Sequence, residues 1–473
     1  MKLLHFIIFT IFLTTSTLNA NNLDLKHEIK ILKEENIKQQ EKIRELISRV
    51  DELDDSIESV ETKTLIDKVN IRLGFHSQIN NFYKKFANGK RVDSKNIDST
   101  KFMLNLDSDI TETMKFNGRL SMYKYWADST KHLYSQFDNM QGRVPSDSSL
   151  FVERAYIDWY FARKSLLPSA ITIGRQPSAD GPSHQFKANT KRKSTYSALV
   201  FDGASDGIVT TTDLSKVIPI KKSKLRFAYG KGFQKDETSG EVTNAFLGSN
   251  DTTIKDTDVL GLFFESSILN TKNTLFQIGY VTMSDMIANS MESGNNINIG
   301  DVSFIGAMLE SKNFKDSPLD IFAHVGYSQA KPNGKIYQYA NHTFSLLGNK
   351  GNQDTKEGYA FWLGGRYTFS SLNSSKIGLE YNKGSKNWLT ATQGSYDLHN
   401  KLSTRGEAYE AYYIYPINRY SFIKLGALYI DYKYTNSGWY LGEAQEISNL
   451  TPEQKEYTLD SMSNISLQFS LNF

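Results

Sequence analysis

From Asn464 to Phe473 the chain alternates without a break: Ile465, Leu467, Phe469, Leu471 and Phe473 are apolar, while Asn464, Ser466, Gln468, Ser470 and Asn472 are polar. A period of two places the first set on one face of an extended strand and the second set on the other. A soluble half-buried strand has the same pattern, but a tilted strand that crosses a bilayer needs roughly 9 to 11 such residues. Spanning by helices is excluded, because no run beyond the N-terminus reaches the roughly 18 to 20 apolar residues a helix requires.

The same template recurs along the chain after Val69. Strands are expected near 69–80, 101–110, 115–125, 150–162, 169–176, 205–213, 223–232 and 257–267. The second half repeats them near 273–283, 301–310, 318–328, 357–369, 375–384, 407–415, 420–434 and 462–473. An all-β antiparallel transmembrane barrel of about 16 strands over residues 68–473 follows. Short connections such as Thr111 to Met114 and Pro416 to Arg419 alternate with long polar segments such as 126–149, 177–204 and 385–406. That is the turn-and-loop alternation of an outer-membrane barrel, and it puts both ends of the barrel on the periplasmic side.

Composition agrees. With 23% charged residues, 12% aromatic residues, 9 prolines and no cysteine, the chain is no disulfide scaffold. A mean hydropathy of −0.45 suits strands that are apolar on alternate residues only. The 55 Lys and Arg are spread among 52 Asp and Glu, so the concentrated basic stripe of a nucleic-acid binder is missing.

Met1 to Ala20 starts with Lys2, continues through an apolar core at Phe6 to Leu13 and ends in small residues, as a signal peptide cleaved after Ala20 does. Between residues 21 and 67 the period changes to 3.5. Ile29, Asn36, Ile43, Val50, Ile57 and Thr64 occupy one core position, and Leu25, Leu32, Gln39, Leu46, Leu53 and Val60 the other. Five heptads without proline or glycine predict a periplasmic coiled coil, with Glu28 facing Lys33 and Arg49 facing Asp54 on a parallel neighbour. The seam alone leans towards two copies; a trimer is favoured by analogy with general porins. A rod of this length, about 60 Å, brings peptidoglycan within reach.

On the polar faces of the strands lie Arg119, Arg154, Asp158, Arg226, His324, Arg366, Lys376, Glu380, Glu410 and Lys424. An Arg or Lys on the lipid face at mid-bilayer costs about 2 to 4 kcal/mol, so these residues are expected to line the pore. The segment 177–204 is rich in Gly and Pro and carries Lys187, Lys191, Arg192 and Lys193 just beyond Arg175, which makes it the expected constriction loop. A basic constriction implies a modest preference for anions.

The stretches Gly174 to Ser183, Arg192 to Tyr196, Phe201 to Ala204, Trp388 to Ser395 and Tyr412 to Tyr420 resemble a family of porin-like outer-membrane proteins of epsilon-class proteobacteria, itself a domain of unknown function. The final strand resembles the signal by which the barrel assembly machinery recognises its substrates, with Phe473 as the terminal element. Together these imply a barrel surrounded by outer-membrane lipid, acting as a channel for passive diffusion of small hydrophilic solutes or ions. The competing reading is a closed structural or adhesin-type barrel acting through its external loops. An enzyme of the barrel wall is not expected: the eight histidines lie in no nucleophile motif, and no metal, cofactor or nucleotide spacing occurs. A peptide of residues 21–67 is expected to be helical and associated; a monomer by analytical ultracentrifugation at high micromolar concentration removes the coiled coil.

Overall fold

The computed structural model describes residues 25–53, 69–93, 97–126, 150–176, 181–192, 194–203, 205–232, 257–268, 273–289, 296–339, 342–349, 351, 353–391 and 397–473. The expected signal peptide, the last heptads of the coiled coil and Lys193 lie outside these residues. The chain forms two units, Met1–Lys68 and Val69–Phe473.

The first unit holds helix α1, residues 25–53. Leu25, Ile29, Leu32, Ile43, Leu46, Val50 and Leu53, the apolar seam, are all exposed on the single chain.

The second unit is a closed antiparallel barrel. Its first eight strands are β1 Val69–Phe86, β2 Ile97–Thr111, β3 Met114–Tyr125, β4 Phe151–Trp159, β5 Ser169–Arg175, β6 Asp206–Asp213, β7 Lys224–Lys231 and β8 Asp258–Ser266. The other eight are β9 Thr274–Asn289, β10 Asn296–Ser311, β11 Leu319–Pro332, β12 Lys356–Phe369, β13 Ser375–Gly384, β14 Gly406–Pro416, β15 Ser421–Tyr432 and β16 Leu459–Asn472. Each strand pairs with the next, and β16 returns to β1, with Gly74 opposite Asn472 and Ile79 opposite Leu467. At the seam the Leu73 amide donates to the Phe473 carbonyl at 2.7 Å and the Phe473 amide to the Leu73 carbonyl at 3.0 Å. Closure leaves no edge, which is the condition for β-structure in hydrocarbon.

The outward face is apolar as the alternation requires: Leu225, Phe227 and Tyr229, then Leu260 and Leu262, then Phe361, Leu363, Ile377, Leu379, Ile423 and Leu425 are exposed. Trp159, Tyr413, Tyr415, Tyr420 and Phe473 are exposed near strand ends, as in an interfacial aromatic belt. Tyr412, in the same run of aromatics, does not join them. It is 3% exposed and packs inside with Ile414 and Phe422, because its neighbours Tyr413 and Tyr415 already take the outward parity of β14.

Three smaller elements lie in the long segments: helix α2 His184–Ala188, a hairpin of Tyr337–Tyr339 with His342–Phe344, and helix α3 Pro452–Tyr457. The last begins with a capping box, in which the Thr451 hydroxyl accepts from the Gln454 amide at 3.2 Å and the Gln454 carboxamide accepts from the Thr451 amide at 3.0 Å. Removing Phe473 deletes both seam bonds to Leu73 and leaves that end of the β1–β16 seam open, so the truncated chain is expected to yield less folded barrel. Heat-modifiable electrophoretic mobility and surface level check this; wild-type values for both would reject it.

Candidate channel lumen

A sixteen-stranded ring is too wide for its own side chains to fill. Loop segments that fold inward narrow it instead. The segment from Gly181 to Gly203 crosses to the far wall, and its docking partners sit on successive strands. The carboxylate of Glu310 on β10 accepts from the Ser183 amide at 3.2 Å and from the Gln185 side chain at 2.8 Å. His324 on β11 lies between two serines of the segment, 2.9 Å from Ser183 Oγ and 2.7 Å from Ser197 Oγ. Arg366 on β12 donates to the Phe186 carbonyl at 3.0 Å, and Lys376 on β13 donates to Asn189 Oδ1 at 2.5 Å. Arg192 forms a two-pronged ion pair with Glu265 on β8, at 3.1 and 3.2 Å.

Residues 385–391 and 397–405 of a second segment also lie inward and lock against the first. The Asp202 amide donates to the Ala391 carbonyl at 2.7 Å, and the Ala391 amide to the Val200 carbonyl at 3.0 Å. Its anchor is Trp388, which is fully buried and donates its indole N–H to the Leu402 carbonyl at 2.8 Å. The wall makes room for these segments by a row of small residues: Gly279 lies opposite Gly306, Gly306 opposite Gly326, Gly326 opposite Ala360, and Ala360 opposite Gly384. A Cβ on Gly326 would stand 2.6 Å from the Trp388 ring, and one on Gly384 would stand 2.9 Å from it. Val200 occupies the corresponding place over Gly306. Glycine in a strand interior costs stability, and here it marks where a second layer approaches the sheet.

The charged residues singled out from the sequence fall on inward strand positions, and most are ion-paired. Arg119 and Arg154 share Glu153, at 2.9 and 3.1 Å, and Lys101 approaches the same carboxylate at 3.8 Å. Glu153 was not legible as a lumen residue, because alternation opposes it to Arg154. A bulge explains it: Arg119 pairs with Arg154 and Leu120 with Val152, so Glu153 is the extra residue and turns inward beside Arg154. Asp158 accepts from Thr172 at 2.5 Å. Arg226 joins Arg192 on Glu265, at 3.3 Å. Arg366 pairs with Asp320 at 2.7 Å.

Lys401, from the second inward segment and absent from the sequence reading, joins Glu380 and Glu410. Lys187 on α2 pairs with Asp397 at 2.6 Å and reaches Glu410 at 3.3 Å. Burial alone would raise the Asp397 carboxyl, but the Lys187 ammonium holds it below its ordinary range. Arg175 sits at the end of β5 in a two-pronged pair with Asp206, both contacts 3.0 Å, and Lys191 is exposed. Among the described cations of the expected constriction segment, Arg192 and Lys187 are the two whose ion pairs tie it to the wall, through Glu265 on β8 and Glu410 on β14.

A cavity of about 190 Å³ lies between the inward segments and the wall made by β14, β15, β16, β1, β2 and β3. Among the described residues no cluster of metal-ligand type occurs.

A family model described as "Protein of unknown function (DUF3373)" matches residues 92–473. The chain belongs to this family. Among solved structures it is similar to OprB of Pseudomonas putida at high pH, with a TM-score of 0.51 and 9% identity over 87% of this chain and 96% of that one. The outer-membrane channel DcaP of Acinetobacter baumannii aligns with a TM-score of 0.45 and 12% identity, over 85% of this chain and 97% of that one. The anion-selective porin from Comamonas acidovorans gives 0.47 and 9%, over 86% and 100%. A search of curated proteins finds no match. The likeness to OprB establishes that this family member has a porin-like barrel fold.

Replacing Lys401 by Met leaves Glu380 and Glu410 without their shared cation, and breaking such a buried pair costs about 3 kcal/mol. The expected outcome is a lower unfolding midpoint in denaturant, largely restored when Glu380→Gln and Glu410→Gln are added. A single variant as stable as wild type would show that the triad contributes nothing.

Proposed function

We propose that this chain is an outer-membrane, porin-like channel that conducts small hydrophilic solutes or ions by passive diffusion and carries out no covalent chemistry. The observation that carries the reading is the polar space left beside the inward segments: the loops narrow the lumen on one side, and on the other the wall from β15 through β3 is lined mainly by amide, hydroxyl and basic side chains. Rings of this kind select by size and by the charge at the narrowest level. The signal peptide at 1–20 delivers the chain to the periplasm, and the final strand with Phe473 hands it to the barrel assembly machinery. The exposed heptad seam of α1 supports assembly into homo-oligomers, three copies before two, with the coil on the periplasmic side near peptidoglycan.

One observation favours the rival reading of a closed barrel. Met283, Ile299, Phe304, Leu346, Ala391 and Tyr440 form a fully buried apolar cluster where loop segments meet the strands, so part of the cross-section is a packed core. Conductance decides between the two.

Purified protein in a planar bilayer is expected to form open channels with a modest preference for chloride over potassium, read as the reversal potential between two KCl concentrations. Arg192→Glu with Lys193→Glu should move that potential towards the cation side. Absence of channels would support the closed barrel. A cation-selective wild type, or a double variant with unchanged conductance and reversal potential, would reject the basic constriction.

A further inference from the structure

Four lysines line the lumen cavity: Lys101, Lys187, Lys401 and Lys424. The first three each have a carboxylate within ion-pair distance, at 3.8 Å from Glu153 for Lys101, at 2.6 Å from Asp397 for Lys187, and in contact with Glu380 and Glu410 for Lys401. Among the described residues Lys424 has none. Its nearby carboxylate, Glu410, is already shared by Lys187 and Lys401.

The surroundings of Lys424 have a consistent chemistry. It lies opposite Gln468 on β16, and Gln468 lies opposite Gln78 on β1, so the three side chains form one row across adjacent strands. At roughly 4.8 Å per strand the row spans about 10 Å. His76 stands one rung away, its Nδ1 3.3 Å from Gln468 Nε2 and 2.8 Å from Ser470 Oγ. Beyond the row, β2 contributes Asn105 and Lys101 to the cavity. Along β15, β16, β1 and β2 none of the residues lining the cavity is a carboxylate; the three that do line it, Asp202, Asp397 and Glu410, stand on the inward segments and β14. The cavity is thus acidic and ion-paired on one side, and donor-rich and free of carboxylate on the other.

We infer that the β15–β16–β1 wall is a binding station for small oxyanions, phosphate or carboxylate, with Lys424 as the charged contact and Gln468 and Gln78 as neutral ones. This deepens the channel reading and rests on it in one respect, that the ligand arrives through the lumen. An oxyanion at Lys424 supplies the ion-pair partner that the protein does not give it; Gln78 Nε2, which donates to Asn80 Oδ1 at 2.7 Å, has a second N–H for the ligand, and Gln468 Nε2 reaches it by exchanging its bond to Ser470 Oγ at 3.0 Å. A neutral sugar gains hydrogen bonds along the row and nothing from the ammonium. The station lies among charges that are already paired, so its selectivity depends on a single residue.

The test is isothermal titration of the full chain in detergent, with folding verified by heat-modifiable mobility, using inorganic phosphate, acetate and sucrose in separate arms. Saturable phosphate binding is expected, weakened roughly tenfold by Lys424→Gln, the loss of one charge-assisted hydrogen bond. Gln468→Glu, which places a carboxylate next to the ammonium, should weaken it at least as much without shortening any side chain. The acetate arm tells whether a carboxylate serves as well as a phosphate, and its binding must respond to the same two variants. Absence of saturable phosphate and acetate binding by folded wild type overturns the proposal, as does wild-type affinity in both variants or sucrose binding as tightly as the anions. A barrel that conducts but does not bind keeps the channel and loses the station; one that binds but does not conduct keeps the station and loses the channel.

Discussion

The structure depends on one constraint: in hydrocarbon every backbone N–H and C=O must find its partner within the protein. The chain meets it by closing β16 onto β1, with Phe473 and Leu73 exchanging the outermost pair of bonds. Once the ring is closed, parity is no longer negotiable. A residue on a strand faces either lipid or lumen, and its neighbour faces the other way. Leu225, Phe227 and Tyr229 therefore go to lipid, and Arg226 goes inward to Glu265. At the bulge the ladder itself slips, and Glu153 turns to the same side as Arg154.

Closure creates the second problem, a ring wider than its side chains can fill. The row from Gly279 through Gly306, Gly326 and Ala360 to Gly384 answers it by removing side chains altogether along one level of the wall. The inward segments then contribute a second layer of packing, with Trp388 and Val200 standing where wall side chains would have been. Because that layer carries backbone polar groups into the interior, it needs partners there as well. Arg366 supplies one to the Phe186 carbonyl, and paired bonds between Val200, Asp202 and Ala391 satisfy the two segments mutually.

Much of this was legible from the chain. All sixteen strands were expected, with β13 at its observed limits and the others displaced mainly where they run past the apolar belt, as β1 and β9 do. Period-two alternation is local, so it survives reading without coordinates. The inward fold of the third long segment was also expected, on its Gly, Pro and basic content. What escaped was whatever depends on two distant segments meeting: Lys401 between Glu380 and Glu410, Asp397 on Lys187, and the socket for Trp388. The inward glycines were the available signal, since a glycine in a strand asks what comes close to it. Tyr412 escaped for a different reason. It belongs to a run of aromatics in which alternation, not composition, decides which rings reach lipid.

The same distinction governs how the lumen treats charge. Counted along the strands alone, the expected lining residues are four Arg and two Lys against one Asp and two Glu. Most of that surplus has no separate existence in the structure. Glu153 and Asp320, wall residues outside the count, take up Arg119, Arg154 and Arg366, Glu265 takes up Arg226 together with Arg192, and Glu380 and Glu410 are shared with Lys401 and Lys187. A paired charge presents mainly a dipole to a passing solute, and a dipole's field falls off faster than that of a lone charge. The field along the path is therefore set less by how many cations face inward than by which of them lacks a partner and where its side of the wall is free of carboxylate. On the proposed channel reading, that makes the wall beside Lys424 a second charge-sensitive position, facing the inward segments and the basic residues they carry.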